Sequence, residues 1–304
     1  MSMSHAEKQE AFRQGLLEHR ILIQTQVPGI FGHAAPFDAV IRKLEARIDR
    51  EVAGEAERVY FPPVLAREVV RSTGYMENFP TLCGSVHSFT GDGALHSALV
   101  ERVKQGGDWG EFLEQSQVVL VPSACYPLYP TLEGELPPGG KLFDLVGHVF
   151  RHEPSDDPTR MQAFRQRENV RLGSADEVAA WCEGWLQRSI RVLSALELPV
   201  RLDLATDPFF GRGGRMMKAT QRAQELKHEV TVALFSEERP LAITSINNHQ
   251  DHFGHVFGIH GADGGYAHSA CIGFGLERIA LALFHTHGFE LEGWPAGVRD
   301  ALEL

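Results

Sequence analysis

The sequence predicts an α+β fold, with a mainly antiparallel β-sheet flanked by helices. Short apolar runs bounded by proline and glycine indicate strands, and the long helical segments stand apart from them along the chain. No βαβ alternation with a GxGxxG or Walker motif is found, which argues against a parallel nucleotide-binding sheet. With 304 residues, the chain has room for one large domain or two small ones.

The pattern changes near residue 55. Residues 1–55 are predicted to form an N-terminal helical segment, because apolar residues from Val40 to Val52 recur at helical spacing. From Arg58 onward short apolar runs dominate, so residues 56–304 are predicted to form the larger domain. Its predicted strands cover 58–63, 117–122, 141–153, 161–173, 198–205, 227–235 and 240–247.

Two helices and one turn stand out in the larger domain. Ser174 and Glu177 match a capping box, which predicts a helix over roughly 175–196. The segment GFGLERIALALF at 273–284 predicts a second helix that is entered through glycines. The polar stretch EPSDDPTR between the third and fourth strands predicts the turn of an antiparallel hairpin.

Composition and charge exclude several classes of protein. Against 29 Lys and Arg residues stand 40 Asp and Glu, and the formal net charge of −11 argues against general nucleic-acid binding. No apolar run approaches the roughly 18 residues of a membrane span, and the N-terminus lacks the apolar core of a signal peptide. The four cysteines are far apart and form no CxxC pair, so we expect a cytoplasmic protein without disulfides.

The predicted hairpin concentrates groups that could bind a nucleotide. The sequence FRHE ends its first strand, and the second strand runs from near Arg160 through Phe164 to Glu168. Arginines neutralise phosphates, an aromatic ring stacks on a purine, and a carboxylate accepts a hydrogen bond from the purine amino group. From spacing alone, a solvated hairpin with ion pairs explains the pattern equally well.

Histidines and glycines near the C-terminus give weaker signals. Five histidines between residues 248 and 268 fit either a metal site or a plain polar loop, and no HExxH motif accompanies them. They are His249, His252, His255, His260 and His268. Arg278 follows the glycines of GFGLER and is predicted to lie near a helix N-terminus, where phosphates also bind.

Taken in order, these segments resemble the three signature motifs of class II aminoacyl-tRNA synthetases, and within that class those of seryl-tRNA synthetases. Motif 1, which forms a dimer interface in the class, resembles RVYFPPVLAREVVRSTGYMENFP. Motif 2 resembles FRHE, the turn and FRQRE, and motif 3 resembles GFGLER. The resemblance runs from about residue 56 to the C-terminus and implies the catalytic fold of the class and a homodimer.

One departure from the seryl enzymes concerns a metal site. Where those enzymes carry Thr-Ser-Glu, this chain has Ser123-Ala124-Cys125, so a cysteine replaces a substrate-binding glutamate. Cys125, Glu168 and Cys271 match the zinc ligands of the atypical archaeal seryl enzymes and of the bacterial amino acid:carrier-protein ligases. The resemblance therefore implies a catalytic Zn²⁺ with a fourth position open to the α-amine of a substrate.

A second departure is the short segment before motif 1. Seryl-tRNA synthetases carry a helical tRNA-binding arm of about a hundred residues there, but this chain has fewer than 60 residues without sustained heptads. The carrier-protein ligases share this feature, so the resemblance implies ATP-dependent activation of a small amino acid, with glycine favoured. The aminoacyl group would pass from an adenylate to the phosphopantetheine thiol of a carrier protein, with no tRNA or membrane partner.

The same resemblance implies roles for individual residues. Arg151 would bind the α-phosphate, Glu153 would recognise the adenine amino group, and Phe164 and Arg278 would lie on opposite faces of adenine. Arg151, Glu168 and Arg278 are the implied catalytic residues, with Glu168 contacting both the metal and the amine. Further implied ATP contacts are Arg160, Met161, Ala242, Ile243, Thr244 and Ser245.

Two positions between 242 and 248 carry specific expectations. Ala242 lies where a magnesium-binding glutamate is usual, so Mg²⁺ is expected to arrive with ATP and to take fewer protein ligands. Asn248 is expected either to face the side chain of the amino acid or to cap a loop.

Carrier proteins are usually acidic, so an acidic enzyme needs a local basic surface to bind one. The segment 211–229 contains such a surface on a predicted helix, although a solvated helix face explains the same charges equally well. Its basic residues are Arg212, Arg215, Lys218, Arg222 and Lys227.

Two other functions remain compatible with the sequence. One is a tRNA-charging enzyme of the seryl type with an unfamiliar RNA contact, and the other is a non-catalytic, amino-acid-binding relative of the synthetases. The intact set of Arg151, Glu153, Phe164 and Arg278 argues against the second.

Overall fold

A computed structural model of the chain describes residues 3–52 and 56–304, apart from the side chain of Arg212. The helices are α1 (His5–Glu18), α2 (Ala35–Val52), α3 (Arg67–Ser72), α4 (Tyr75–Asn78), α5 (Gly93–Lys104), α6 (Ala175–Ser194), α7 (Gly211–Ala223), α8 (His252–Phe257), α9 (Leu276–His287) and α10 (Ala296–Leu302). Short 3-10 turns cover Gly110–Phe112, Tyr129–Thr131 and Leu291–Gly293. None of the described helices is long and apolar enough to cross a bilayer.

The strands are β1 (Leu22–Gln24), β2 (Phe31–His33), β3 (Glu57–Val59), β4 (Val64–Ala66), β5 (Ser85–Ser88), β6 (Glu114–Leu120), β7 (Gly134–Glu135), β8 (Lys141–Phe150), β9 (Ala163–Gly173), β10 (Val200–Leu204), β11 (Lys227–Val232), β12 (Leu241–Gln250), β13 (Ile259–His260) and β14 (His268–Gly275). Seven of them form the central sheet, in the order β10-β11-β12-β14-β9-β8-β3. Neighbours in this sheet are antiparallel except for β3 and β8, which confirms the mainly antiparallel sheet predicted from the sequence.

β8 and β9 form the hairpin predicted from the polar turn, and their register continues without a break along β8. Successive side chains of a strand point to opposite faces of the sheet. Phe164, Gln166 and Glu168 therefore lie on one face, and Arg165 and Arg167 lie on the other.

Helices cover one face of the central sheet. Side chains of α6 and α9 pack with strand residues such as Ile246, Ile272 and Phe274 in the largest hydrophobic cluster. Ser174 and Glu177 form both hydrogen bonds of the capping box, so α6 begins where the sequence predicted. The candidate site lies on the opposite face.

The N-terminal residues share this hydrophobic cluster. α1 and α2 contribute Phe12, Leu16, Val40 and Leu44 to it, together with side chains of α9. The sequence predicted only helices here, but β1 and β2 form a hairpin between α1 and α2. Strands of three residues are too short for a recognisable alternation. The predicted boundary after residue 55 coincides with the end of the undescribed residues 53–55 and stays a prediction.

β14 leads directly into α9. Gly273 and Gly275 belong to the end of β14, and α9 begins at Leu276. Arg278 is therefore in the first turn of α9, as the sequence predicted. Because β14 lies between β12 and β9 and is antiparallel to both, this turn comes close to the beginning of both strands.

Candidate active site and metal centre

A cysteine and a glutamate meet on neighbouring strands of the central sheet. In the β9–β14 ladder, Cys271 pairs with Val170 and Gly273 pairs with Glu168, so all four residues face the same side. Diagonal neighbours on paired strands are only about 7–8 Å apart, within reach of long side chains. Cys125 reaches the same point from the loop after β6. The fold thus brings together the three residues that the sequence singled out as metal ligands.

The donor atoms of this trio are close together and buried. The ligand atoms of Cys125, Glu168 and Cys271 all lie within 4.8 Å of one another. Glu168 Oε1 accepts a hydrogen bond from Ser123 Oγ at 2.8 Å, whereas Oε2 is buried without a hydrogen-bond partner. Thiolate sulfur and carboxylate oxygen are both zinc ligands, and a buried oxygen without a partner calls for one. The residues therefore fit a zinc ion.

The electrostatics of the trio favour one thiolate. A hydrogen bond from Cys125 holds the pKa of the Cys271 thiol well below its usual value. The same hydrogen bond, together with burial, raises the pKa of Cys125 well above its usual value. Burial, followed by the charge of Cys271, raises the pKa of Glu168 to about 7. Negative charge is thus crowded into a dry site, where a cation would compensate it.

Two polar side chains contact Cys271 in addition to the trio. Asn247 Nδ2 donates to its Sγ at 3.6 Å, and His249 Nε2 lies 3.6 Å from the same sulfur. His249 Nδ1 is 3.2 Å from Ser269 Oγ and 3.3 Å from Tyr129 Oη, and these contacts fix the orientation of the ring. Such supporting bonds orient metal ligands. Among the described residues, the other histidines of this segment join no cluster of metal-binding side chains.

The residues predicted to bind ATP lie at the turn end of the β8–β9 hairpin. The Arg151 guanidinium is 5.6 Å from the centre of the Phe164 ring, and its Nε donates to the Pro122 carbonyl at 3.0 Å. Glu153 and Arg160 form an ion pair at 3.3 Å. Both partners are partly exposed, so this pair is weak and can open for a ligand. Met161, the next residue, is buried in the largest hydrophobic cluster.

Arg278 borders the same region from the first turn of α9. Its Nε donates to the Thr159 carbonyl at 2.9 Å, and its Nη1 donates to the Ala242 carbonyl at 3.1 Å. Burial, and after it the charge of Arg151, lowers the pKa of Arg278. The two guanidinium groups are therefore close enough to repel each other. A polyanion such as a triphosphate would relieve that repulsion.

The predicted ATP contacts on β12 differ in their surroundings, because the β11–β12 register shifts at this point. Ile243 packs in the core, and Thr244 is buried with no hydrogen-bond partner for Oγ1. Ser245 is partly exposed on the face that carries the trio. Asn248 Oδ1 accepts a hydrogen bond from the backbone N–H of Gln250 at 2.9 Å, which is the loop-capping contact expected as its alternative role.

Two charged residues of β11 face the same side as the trio. Glu229 pairs across the strands with Ser245, and Lys227 pairs with Asn247. Lys227 is only 8% exposed and forms ion pairs with Asp207 at 2.5 Å and Glu229 at 3.2 Å. The sequence had assigned Lys227 to a docking helix, but its burial in a strand removes it from that surface. Glu229 is a carboxylate that the sequence did not single out.

The other predicted docking residues lie on α7. Phe210, the N-cap residue, and Met216, in the middle of the helix, expose 59% and 73% of their surface, so apolar groups accompany the charges. The side chain of Arg212 lies outside the described part of the structure. The described basic side chains of α7 that reach the surface are Arg215, Lys218 and Arg222.

No model of a known protein family matches the chain. Similar proteins include two ligases of Bradyrhizobium diazoefficiens. Amino acid–acyl-carrier-protein ligase 2 is 44% identical over 279 residues, which cover 91% of this chain and 84% of that protein. Amino acid–acyl-carrier-protein ligase 1 is 42% identical over 278 residues, covering 91% of this chain and 85% of that protein.

More distant similarity extends to synthetases. The type-2 serine–tRNA ligase of Methanococcus aeolicus is 23% identical over 290 residues, which cover 90% of this chain and 56% of that protein. The crystal structure of M. kandleri SerRS in complex with A. aeolicus tRNASec matches with a TM-score of 0.80 and 22% identity, over 100% of this chain and 60% of that one.

A prolyl-tRNA synthetase from Cryptosporidium parvum, complexed with halofuginone and AMPPNP, matches with a TM-score of 0.67 and 13% identity. The match covers 95% of this chain and 54% of that one. The central antiparallel sheet and its helices therefore have the class II aminoacyl-tRNA synthetase catalytic fold, as the three motifs predicted.

Proposed function

Because the chain belongs to the amino acid–acyl-carrier-protein ligase family, and is therefore a ligase, we propose that it loads a small amino acid, glycine being favoured, onto a carrier protein. The acceptor is the phosphopantetheine thiol of the carrier, and ATP drives the reaction. The observation that carries this proposal is the convergence of Cys125, Glu168 and Cys271 beside the arginines of the β8–β9 hairpin.

The proposed reaction has two steps. A carboxylate oxygen of the amino acid attacks the α-phosphorus of ATP, the bond from that phosphorus to the bridging oxygen breaks, and pyrophosphate leaves. The carrier thiol then loses its proton to solvent and attacks the acyl carbon, so that a thioester forms and AMP leaves. Neither step requires a covalent bond to the enzyme, so positioning and electrostatic stabilisation supply the catalysis.

Cys125, Glu168 and Cys271 are proposed to hold a Zn²⁺ ion. Two thiolates and one carboxylate leave one position of a tetrahedral site for a ligand. When bound, the ion would hold the α-amine of the substrate in its unprotonated form. Asn247 and His249 orient the sulfur of Cys271, so that the amino acid is presented with its carboxylate toward the hairpin.

Residues of the hairpin and of α9 are proposed to bind the nucleotide. Phe164 offers a flat apolar face to adenine, and Arg278 covers the other face as a cation over a π system. Arg151, next to Phe164, stabilises the negative charge that develops at the α-phosphate. Glu153 accepts a hydrogen bond from the adenine amino group once its ion pair with Arg160 opens and Arg160 turns toward the phosphates.

Mg²⁺ is proposed to enter with ATP, bound mainly through phosphate oxygens and water. Ala242 supplies no carboxylate to it. Glu229, opposite Ser245 on the neighbouring strand, is a carboxylate on the same face of the sheet and a candidate to take that role.

The carrier protein is proposed to dock on α7. Arg215, Lys218 and Arg222 would attract an acidic partner, while the exposed Phe210 and Met216 would supply apolar contact area. The surface suits a partner that presents acidic and apolar side chains together.

A homodimer through the motif 1 segment is proposed as well. Tyr60 and Met76 of that segment expose 69% and 46% of their surface, and these apolar groups are available to a second subunit. The predicted cytoplasmic location and the absence of a tRNA partner stay predictions.

Pyrophosphate exchange tests the proposal. Exchange of labelled pyrophosphate into ATP is expected to depend on an added small amino acid and to be fastest with glycine. Absence of exchange with every small amino acid, in the presence of Zn²⁺ and Mg²⁺, would contradict the proposed chemistry. Either a phosphopantetheinylated carrier or bulk tRNA is then added to the enzyme with its bound aminoacyl adenylate, to identify the acceptor. Labelling of tRNA alone would favour the seryl-type alternative.

A further inference from the structure

β9 extends beyond its partner β14 at the end of the sheet nearest the nucleotide residues. The ladder between the two strands ends at the pair Gly275 and Gln166. α9 begins immediately afterwards, at Leu276, while β9 continues to its first residue, Ala163, paired with β8 on its other side. The residues of β9 before Gln166 therefore lie beyond the ladder on the β14 side.

The carboxylate of Glu277 forms hydrogen bonds with the part of β9 that β14 does not reach. Its Oε2 accepts a hydrogen bond from the backbone N–H of Arg165 at 2.7 Å. Its Oε1 accepts from the Nε of the same residue at 3.0 Å. Glu277 is 1% exposed, so these are charge-assisted bonds in a dry environment, and losing them leaves buried polar groups unpaired. One side chain of α9 thus fixes the backbone of β9.

These bonds connect two parts of the proposed adenine site. Arg165 directly follows Phe164, and Glu277 directly precedes Arg278. On its other side, Arg278 is held by the carbonyls of Thr159 and Ala242. The position of Phe164 relative to Arg278 is therefore set through Glu277, which lies on the helix-covered face and does not border the adenine site.

We propose that Glu277 is a positioning residue for the nucleotide, which holds Phe164 and Arg278 at the separation that admits one adenine ring between them. This inference rests on the proposed ATP site. It assigns a role to the glutamate of GFGLER, which the proposed reaction does not otherwise use.

Glu277→Gln and Asp38→Asn form a matched pair of variants. Asp38 Oδ1, on α2, accepts from Arg165 Nη1 at 2.9 Å, so each substitution removes one negative charge that pairs with the same arginine. Both substitutions nearly preserve shape. Only Glu277 bonds to the backbone of β9, and only Glu277 adjoins Arg278.

The measurements are the Kd of AMPPNP by calorimetry, and KM for ATP and kcat in pyrophosphate exchange. Glu277→Gln is expected to raise the Kd and KM for nucleotide about tenfold, while kcat at saturating ATP changes less than about threefold. Asp38→Asn is expected to leave the Kd and KM for nucleotide within about twofold of the wild-type values. Glu277→Ala, if it folds, should show a larger loss than Glu277→Gln.

Two results would overturn the inference. One is wild-type nucleotide affinity in folded Glu277→Gln, and the other is an equal loss in Asp38→Asn, which would trace the effect to Arg165 alone. A wild-type protein that neither binds AMPPNP nor catalyses exchange would overturn the proposed function itself, so the two failures are distinguishable.

Discussion

Gly273 of β14 pairs directly with Glu168 of β9, and its lack of a side chain leaves space beside the carboxylate. A Cβ at this position would lie 3.4 Å from Glu168 Oε1 and 3.1 Å from Gln166 Nε2. The tighter contact falls on Gln166, whose Oε1 accepts from the backbone N–H of Ala124 at 3.2 Å. Gly273→Ala is therefore expected to shift this amide and the loop that carries Cys125, and to weaken zinc binding by about threefold. Competition with a chromophoric chelator measures this affinity. Gly147→Ala is the control, because its new Cβ would meet only Ala124, at 3.8 Å.

Loss of a cysteine ligand is expected to remove the metal. Cys125→Ser or Cys271→Ser should reduce bound zinc to a small fraction of one ion per chain and slow pyrophosphate exchange by at least about a hundredfold, because the remaining ligands are too few. Metal content is measured by elemental analysis of purified protein. Cys83→Ser and Cys182→Ser, outside the trio, should retain zinc. Full zinc content in the first two variants would refute the proposed ligands.

Removal of the Phe164 ring is expected to weaken ATP binding selectively. Aromatic stacking contributes about 1 kcal/mol, so Phe164→Ala should raise KM for ATP roughly fivefold to tenfold. The KM for the amino acid should change little, because the trio lies further along the sheet. Phe164→Tyr keeps a ring and should recover most of the affinity. Equal increases in both KM values would indicate general damage to the site instead.

Charge reversal on α7 is expected to separate the two proposed steps. Arg215→Glu with Arg222→Glu should slow loading of the carrier by about tenfold or more, because the acidic partner then meets like charge. Amino-acid-dependent pyrophosphate exchange should be unchanged. Arg191→Glu, which reverses an exposed arginine on α6, is the control. Equal loss of both activities in the α7 variant would contradict docking at this helix.

Acidification is expected to destabilise the fold through His33. Its Nδ1 lies 3.3 Å from Arg165 Nη2, and burial, followed by the charge of Arg165, lowers the pKa of His33 to about 4. A histidine in the unfolded chain titrates near 6.5. Between pH 6.5 and pH 4 the unfolded chain therefore binds a proton that the folded protein does not, and the free energy of unfolding decreases as the pH is lowered. His33→Gln should reduce this loss by on the order of 1 kcal/mol.

Denaturant unfolding at pH 7 and pH 4.5 measures the effect of His33. Carboxylates also titrate in this pH range. The quantity to compare is therefore the change in unfolding free energy between the two pH values, measured for the wild type and for the variant. An identical change in the two proteins would show that His33 does not titrate between these pH values.

A local pattern predicted the hairpin, and the resemblance to known motifs singled out Cys125, Glu168 and Cys271, which the fold brings together. The connection between β8 and β9 covers residues 151–162 and contains the polar stretch EPSDDPTR, so the two strands could be paired from the sequence, and Glu168 could be placed on the second. Cys125 and Cys271 were identified by their positions relative to the motifs. Their approach to within 4.8 Å depends on the pairing of β9 with β14, which no local pattern reveals.

The misassigned residues depend on contacts between distant segments. The charge pattern of 211–229 suggested one helix, but α7 ends at Ala223 and Lys227 starts a strand whose ammonium is held by Asp207. The sequence did not place Glu229 and His249 at the site, because strand register determines which face of the sheet carries each side chain. The register shifts between Val230 and Thr231 of β11 and between Asn248 and Gln250 of β12, so alternation counted along the sequence does not give it.

The order of strands in the central sheet has a consequence for biosynthesis. β9 and β14 are neighbours in the sheet but are far apart in the chain, so a nascent polypeptide presents β8 and β9 while β14 is still to be synthesised. Until β14 leaves the ribosome, the edge of β9 is unpaired, and such edges template aggregation and recruit chaperones. Translation that stops before residue 268 would therefore produce an aggregation-prone chain rather than a partly active ligase.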